Sequence, residues 1–257
     1  AFKDHAEALA QWQSEDDVQV IFENGGGKTP GLPEGTFTLS FKQWPPETTK
    51  ATRWFFQPDG SLAEQQPSAV PAPGAATSTA STFEHDPNAG SRGVLNKSEA
   101  NKQKKGIWSA LPAYEWLAPK KGMEAAFVTA PLKKTLVMAG TGSVDLWVRT
   151  PTEAEVGFKV NDADLEVSLT EVRPDGQEMY VQGGWLRASY RGLTKAATEL
   201  WPENIIYQDQ RQDVVPGQWT KVRVALTGFA HVFRPGSRIR VAVDTPGDTR
   251  VDWRFEL

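Results

Sequence analysis

Residues 162–176 read DADLEVSLTEVRPDG, and their spacing decides the fold class. Leu165, Val167 and Leu169 alternate with Glu166, Ser168 and Thr170, the period of two that sends successive side chains to opposite faces of a strand. The alternation predicts one buried face and one wet face. The run closes on Arg173-Pro174-Asp175-Gly176, where proline presets φ at the second turn position and glycine suits the fourth, so a hairpin follows. The next strand is MYVQGGWLRASYR, residues 179–191. Val222, Val224 and Leu226 repeat the pattern, and after a second reversal at Arg234-Pro235-Gly236 so do Ile239, Val241 and Val243, between Arg238, Arg240 and Ala242. With GSVDLWVRT (142–150) before and VDWRFEL (251–257) after, residues 142–257 form an almost unbroken series of short strands separated by turns, which predicts a β-sandwich.

Upstream the pattern is more varied. Phe2, Ala6, Leu9 and Trp12 stand at helical intervals and stop at Ser14-Glu15-Asp16-Asp17, which predicts one amphipathic helix. Val18, Val20 and Phe22 alternate with Gln19, Ile21 and Glu23 and lead into Asn24-Gly25-Gly26-Gly27, a strand and a glycine turn. A phosphate loop is rejected there, because Gly27-Lys28-Thr29 is followed by Pro30 and Pro33, which oppose the helix that such a loop must open. Trp54, Phe55 and Phe56 predict another strand, ending at the turn Gln57-Pro58-Asp59-Gly60. Residues 67–81 are low in complexity and read as an extended surface loop, with mucin-like glycosylation as the compositional alternative. Trp108 to Trp116 contains Pro112 and reads as an extended segment.

Composition removes several function classes. At 257 residues with 39% apolar residues and ten tryptophans, the chain has the make-up of a globular protein. A net charge of −4 offers no basic face for nucleic acid, and Lys102, Lys104 and Lys105 read as a solvated loop. Without cysteine, disulfides and thiolate chemistry are excluded. No apolar run is long enough for a transmembrane helix, and the start AFKDHAEALAQW lacks the layout of a signal peptide. Beginning at Ala1 without methionine, the chain reads as a segment that starts partway through a larger protein.

No catalytic signature is present. A serine hydrolase of the α/β type exposes its nucleophile on a GxSxG elbow, and no serine has that frame; Gly90-Ser91-Arg92-Gly93 comes nearest, with the wrong spacing. His85 stands between Glu84 and Asp86 and reads as a loop histidine with local hydrogen bonds. Asp162 and Asp164, with Asp175, raise a calcium question. Calcium needs about six to eight oxygens from a shaped loop, so no metal is assigned. Trp147, Trp185 and Trp253 fall within strand patterns and are assigned to the core. Trp44, Trp108, Trp116 and Trp201 lie beside prolines or loops and are the candidates for an exposed binding or interface role.

The ordered phrases DADLEVSLTEVRPDG, YVQGGWLRASYR and HVFRPGSRIRVAV resemble the C-terminal domain of the X-Pro dipeptidyl-peptidase and cocaine-esterase-like (CocE/NonD) serine hydrolases. Upstream, VQVIFENGGG, FKQWPPETTKATRWFFQPDGSL and IWSALPAYEW are similar to segments that follow that family's hydrolase core, and the resemblance is weakest over 63–106. It implies an all-β jelly-roll sandwich of the galactose-binding-like type over residues 18–257. A loop-rich insertion at about 63–122 and a helical stub, residues 1–17, from the end of a hydrolase domain complete it. His5 becomes a residue of that stub. His231 matches a histidine common in the family's corresponding segment, with a buried structural place first and the hydrolase interface second. The triad would lie upstream, leaving this chain without catalytic residues or cofactor. Its expected role is an accessory domain that packs on an α/β-hydrolase domain and helps to shape the substrate pocket. A stand-alone carbohydrate-binding module is the first alternative, and an independent enzyme with an unfamiliar site the second.

Overall fold

The computed structural model describes residues 2–23, 35–67, 80–89 and 116–247. The turn at Arg173-Pro174-Asp175-Gly176 forms as its residues require: Gly176 takes φ 85°, its N–H donates to the Arg173 carbonyl, and the Asp175 carboxylate accepts from the Gln177 N–H. It joins β7 (Asp164–Val172) to β8 (Glu178–Arg187). On the other side of β7 pairs β10 (Arg238–Asp244), and on β10 pairs β5 (Glu124–Val128), all antiparallel, giving a four-stranded sheet in the order β5-β10-β7-β8. Two long strands, β6 (Leu136–Val148) and β9 (Thr220–Phe233), pair antiparallel in a second layer, with a register shift between Gly140 and Gly142. The Arg234-Pro235-Gly236 reversal thus carries the chain from one sheet to the other.

The core lies between these layers. Leu165, Val167 and Leu169 of β7 and Ile239, Val241 and Val243 of β10 pack with Leu146 of β6 and Val222, Val224 and Leu226 of β9. At one corner β8 closes onto β9, where Gly184 meets the Ala225 carbonyl so closely that no side chain could stand there. The expected all-β sandwich is therefore found.

The smaller elements frame it. Helix α1 (His5–Ser14) is capped by Asp4, whose carboxylate accepts from the Glu7 N–H at 2.9 Å, and buries none of its residues. Strands β1 (Val18–Phe22) and β2 (Phe37–Phe41) form a two-stranded sheet, and Glu23 N–H donates to the Ala230 carbonyl on β9. The short pair β3 (Phe55–Phe56) and β4 (Leu62–Ala63) is closed by the expected turn, with Gly60 at φ 81°. A four-residue helix, α2 (Glu153–Val156), follows β6. The glycine run 24–27, Ser91, Lys102, Lys104, Lys105, Trp108 and Trp253 lie outside the described residues.

One expectation fails in an informative way. The row Glu166, Ser168 and Thr170 is not wet: all three are buried, Ser168 with 2% of its surface exposed. Segments of the same chain lie against that outer face. Trp116 stacks on Tyr180 of β8 with ring centres 5.9 Å apart, Ala89 abuts Gly247, and Gly247 N–H donates to the Glu166 carboxylate. His85 and Asp86 bond Thr245. The face tolerates burial because its charged side chains find partners: Thr170 donates to Glu178 at 2.6 Å, and Arg240 bridges Glu178 and Glu124.

Candidate interaction face and the buried histidine

His231 sits in the interior with 2% of its surface exposed. Its Nε2 lies 3.0 Å from one oxygen of Glu171, and Ser237 donates to the other at 2.6 Å. The order is serine, carboxylate, histidine. A nucleophilic triad needs the imidazole on the serine oxygen, so this trio ties β7 to β9 and to the turn before β10 rather than activating Ser237. Beside it, at the end of β1, Glu23 adopts φ 55° and accepts hydrogen bonds from Thr36 and from both terminal nitrogens of Arg234. Burial raises the Glu23 carboxyl, but the hydrogen bonds from Arg234 and Thr36, with the charge of Arg234, outweigh it and hold the group below the usual glutamate value. Glu171 is lowered in the same way, with burial overcome by its hydrogen bonds with His231 and Ser237 and by the charge of Arg173. His5 is exposed on α1.

The aspartates considered for calcium are already engaged. Asp162 accepts from the Ser189 N–H and from Arg211, Asp164 is held bidentate by Arg187 at 2.7 Å for both bonds, and Asp175 serves its turn. Among the described residues no three acidic or histidine side chains converge as a metal site. A hollow of about 270 Å³ lined by Trp185, Leu186, Tyr190 and Pro246 has the Asp164–Arg187 pair in its wall. Among the described residues no helix is long and apolar enough to cross a membrane.

The tryptophan candidates separate. Trp116 lies against the four-stranded sheet, as described, while Trp44 and Trp201 gather at the two-stranded layer. Inward residues of β6 and β9 alternate with an outward row: Ser143 opposite Ala225, Asp145 opposite Arg223, Trp147 opposite Lys221. The loop after β8 folds back on this row, pinned by Ser143 Oγ donating to the Glu199 carbonyl and by the Arg53–Glu199 ion pair. Thr198 then holds the Trp201 N–H at 3.0 Å, leaving the indole 53% exposed. Trp44, 36% exposed, covers Gly228 near the register shift, where a Cβ would stand 3.5 Å from its ring nitrogen.

Trp147 corrects the core assignment: it is 64% exposed. The signal was available, since Val144, Leu146 and Val148 alternate with Ser143, Asp145 and Trp147, and a tryptophan follows the face its position dictates. Between the rings, Asp145 is bound by Arg223 and Lys221, which hold its carboxyl below the usual range; the Arg223 hydrogen bond is the largest cause, set against partial burial.

Comparison with known proteins completes the picture. The profile of the X-Pro dipeptidyl-peptidase C-terminal non-catalytic domain matches residues 10–252. Proteins of Mycobacterium bovis and Mycobacterium tuberculosis named as serine esterases are 27% identical over 130 residues, 48% of this chain and 19% of theirs. A CocE/NonD family hydrolase from Staphylococcus aureus superposes with a TM-score of 0.59 at 15% identity, over 92% of this chain and 35% of that one. An aminopeptidase from a marine sediment Thaumarchaeota archaeon gives 0.56 at 22% identity, over 84% and 32%. An α-amino acid ester hydrolase gives 0.56 at 20%, over 95% and 39%. The chain thus spans about a fifth of the curated relatives and a third of the solved ones. With nearly its whole length matched, the chain belongs to the family of X-Pro dipeptidyl-peptidase C-terminal non-catalytic domains.

Proposed function

We propose that this chain is the accessory domain of a serine hydrolase, packed on an α/β-hydrolase domain and helping to wall its substrate pocket. The observation that carries the reading is the match of residues 10–252 to a non-catalytic C-terminal domain. In the intact enzyme the chemistry is acyl transfer through a serine on an ester or amide, performed outside this chain. Residues 1–17 fit the end of the hydrolase domain, since Phe2 and, on α1, Leu9 and Trp12 are exposed and a ten-residue helix is marginal without a packing partner. A domain in this position acts on kcat/KM by positioning substrate, while the nucleophile keeps its own activation.

The test uses an active-site-directed fluorophosphonate and a p-nitrophenyl ester. This chain alone gives neither labelling nor turnover. Deleting it from the full-length hydrolase lowers kcat/KM while the active serine still reacts. Stoichiometric labelling of a serine in this chain, or full activity after the deletion, overturns the reading.

A further inference from the structure

We infer that the outward face of the β6–β9 layer, with the turn that carries Trp201, is the surface that docks on the catalytic domain. The inference rests on the accessory-domain reading and says which side of the sandwich is used. The two outer faces are not equivalent. Segments around 83–89 and 116–122 lie against the four-stranded sheet, which leaves Ser168 and Thr170 buried, so that side already has its second layer. The other layer exposes Trp147 at 64%, Trp201 at 53% and Trp219 at 43%. Ser143, which pins the Trp201 turn, lies four residues along β6 from Trp147, about 13 Å on an extended strand. Trp147 and the Trp201 turn thus share one face. Large indoles left this open are amphipathic anchors of the kind that protein interfaces use.

The occupant follows from chemistry and size. The charges between the rings are paired with one another: Asp145 with Arg223 and Lys221, Glu199 with Arg53. A surface with apolar anchors on which each of these charges already has an ion-pair partner, with one cation in excess because Arg223 and Lys221 share Asp145, can be covered by protein without stranding a lone ion. A sugar platform would instead need polar groups left open beside the rings for hydroxyls. The partner is the catalytic domain because most of each solved relative lies outside the part this chain matches, 35% of one and 39% of another being covered. Interfaces within a chain of that kind bury about 600–1,500 Å², a range this patch can nucleate.

Hydroxyl-radical footprinting read by mass spectrometry tests the assignment. In this chain alone Trp147 and Trp201 oxidise readily, and in the full-length hydrolase both lose most of their labelling. Trp147→Glu in the full-length hydrolase returns Trp201 to ready oxidation. Equal oxidation of the two residues in both forms overturns the docking face, and leaves the accessory role to be judged separately by the loss of kcat/KM on deletion. Protection of the pair in this chain by cellohexaose or mannohexaose, without protection in the full-length hydrolase, makes this a sugar-binding face and also overturns the proposal.

Discussion

The two outer faces of the sandwich reverse the usual relation between polarity and water. On the four-stranded sheet a row of glutamate, serine and threonine, Glu166, Ser168 and Thr170, is buried. On the two-stranded layer Trp147 stands in solvent, and so does Trp201. The difference teaches that a strand's alternation assigns residues to faces and leaves open what covers each face. Over β7 a second layer of irregular chain makes the polar row interior, and it remains stable because each carboxylate there has a partner such as Arg240 or a backbone N–H. Over β6 and β9 the described residues supply no such layer beyond the turns carrying Trp44 and Trp201.

The largest effects come from treating the serine as interior and the tryptophan as surface. Ser168→Lys places an unpaired charge and extra volume beneath the covering segments, and should cost more than about 3 kcal/mol. Trp147→Lys in the same chain should change stability by no more than about 0.5 kcal/mol. Urea denaturation measures both, and similar losses at the two positions would remove the distinction between the faces.

A second comparison sets one arginine against another. Arg240 is largely buried between Glu178 and Glu124, so Arg240→Ala leaves carboxylates without their cation and should cost about 3 kcal/mol. Arg223 pairs with the half-exposed Asp145, and Arg223→Ala should cost about 1 kcal/mol or less. A larger loss at Arg223 in thermal or urea melts would show that the open face is more shielded than the structure describes.

The smallest effect is a pH dependence. Glu23 and Glu171 are held below the usual glutamate value in the folded chain. They therefore contribute stability that is complete above the unfolded pKa of about 4.3 and is lost as pH falls through their lower folded values. Glu171→Gln, which keeps the side-chain shape, should flatten the decline in urea midpoint below about pH 4.3. Asp145 is also lowered, yet it is open to solvent, so the slope change from Asp145→Asn should be smaller and should shrink further in added salt. An unchanged acid slope in Glu171→Gln would separate the buried pair from acid stability altogether.

Much of this was legible from neighbouring residues in the chain. Helix α1, strand β1, the turns at Gly60, Gly176 and Gly236 and the inward rows of β7, β9 and β10 all follow from local spacing, because φ preferences and side-chain alternation involve only a few consecutive residues. The family resemblance likewise rested on phrases written out in order. The local reading places His231 in the interior but not its partner Glu171, 60 residues away on β7, nor Ser237, which bonds the same carboxylate from the turn before β10. Tertiary structure alone decided that the Arg234-Pro235-Gly236 reversal crosses between sheets, that Arg234 meets Glu23 across 211 positions, and that one polar row is roofed while a tryptophan is left bare. Those outcomes depend on which distant segments can pack over each sheet with every buried charge paired. That condition is set by three-dimensional neighbours and has no period in the sequence.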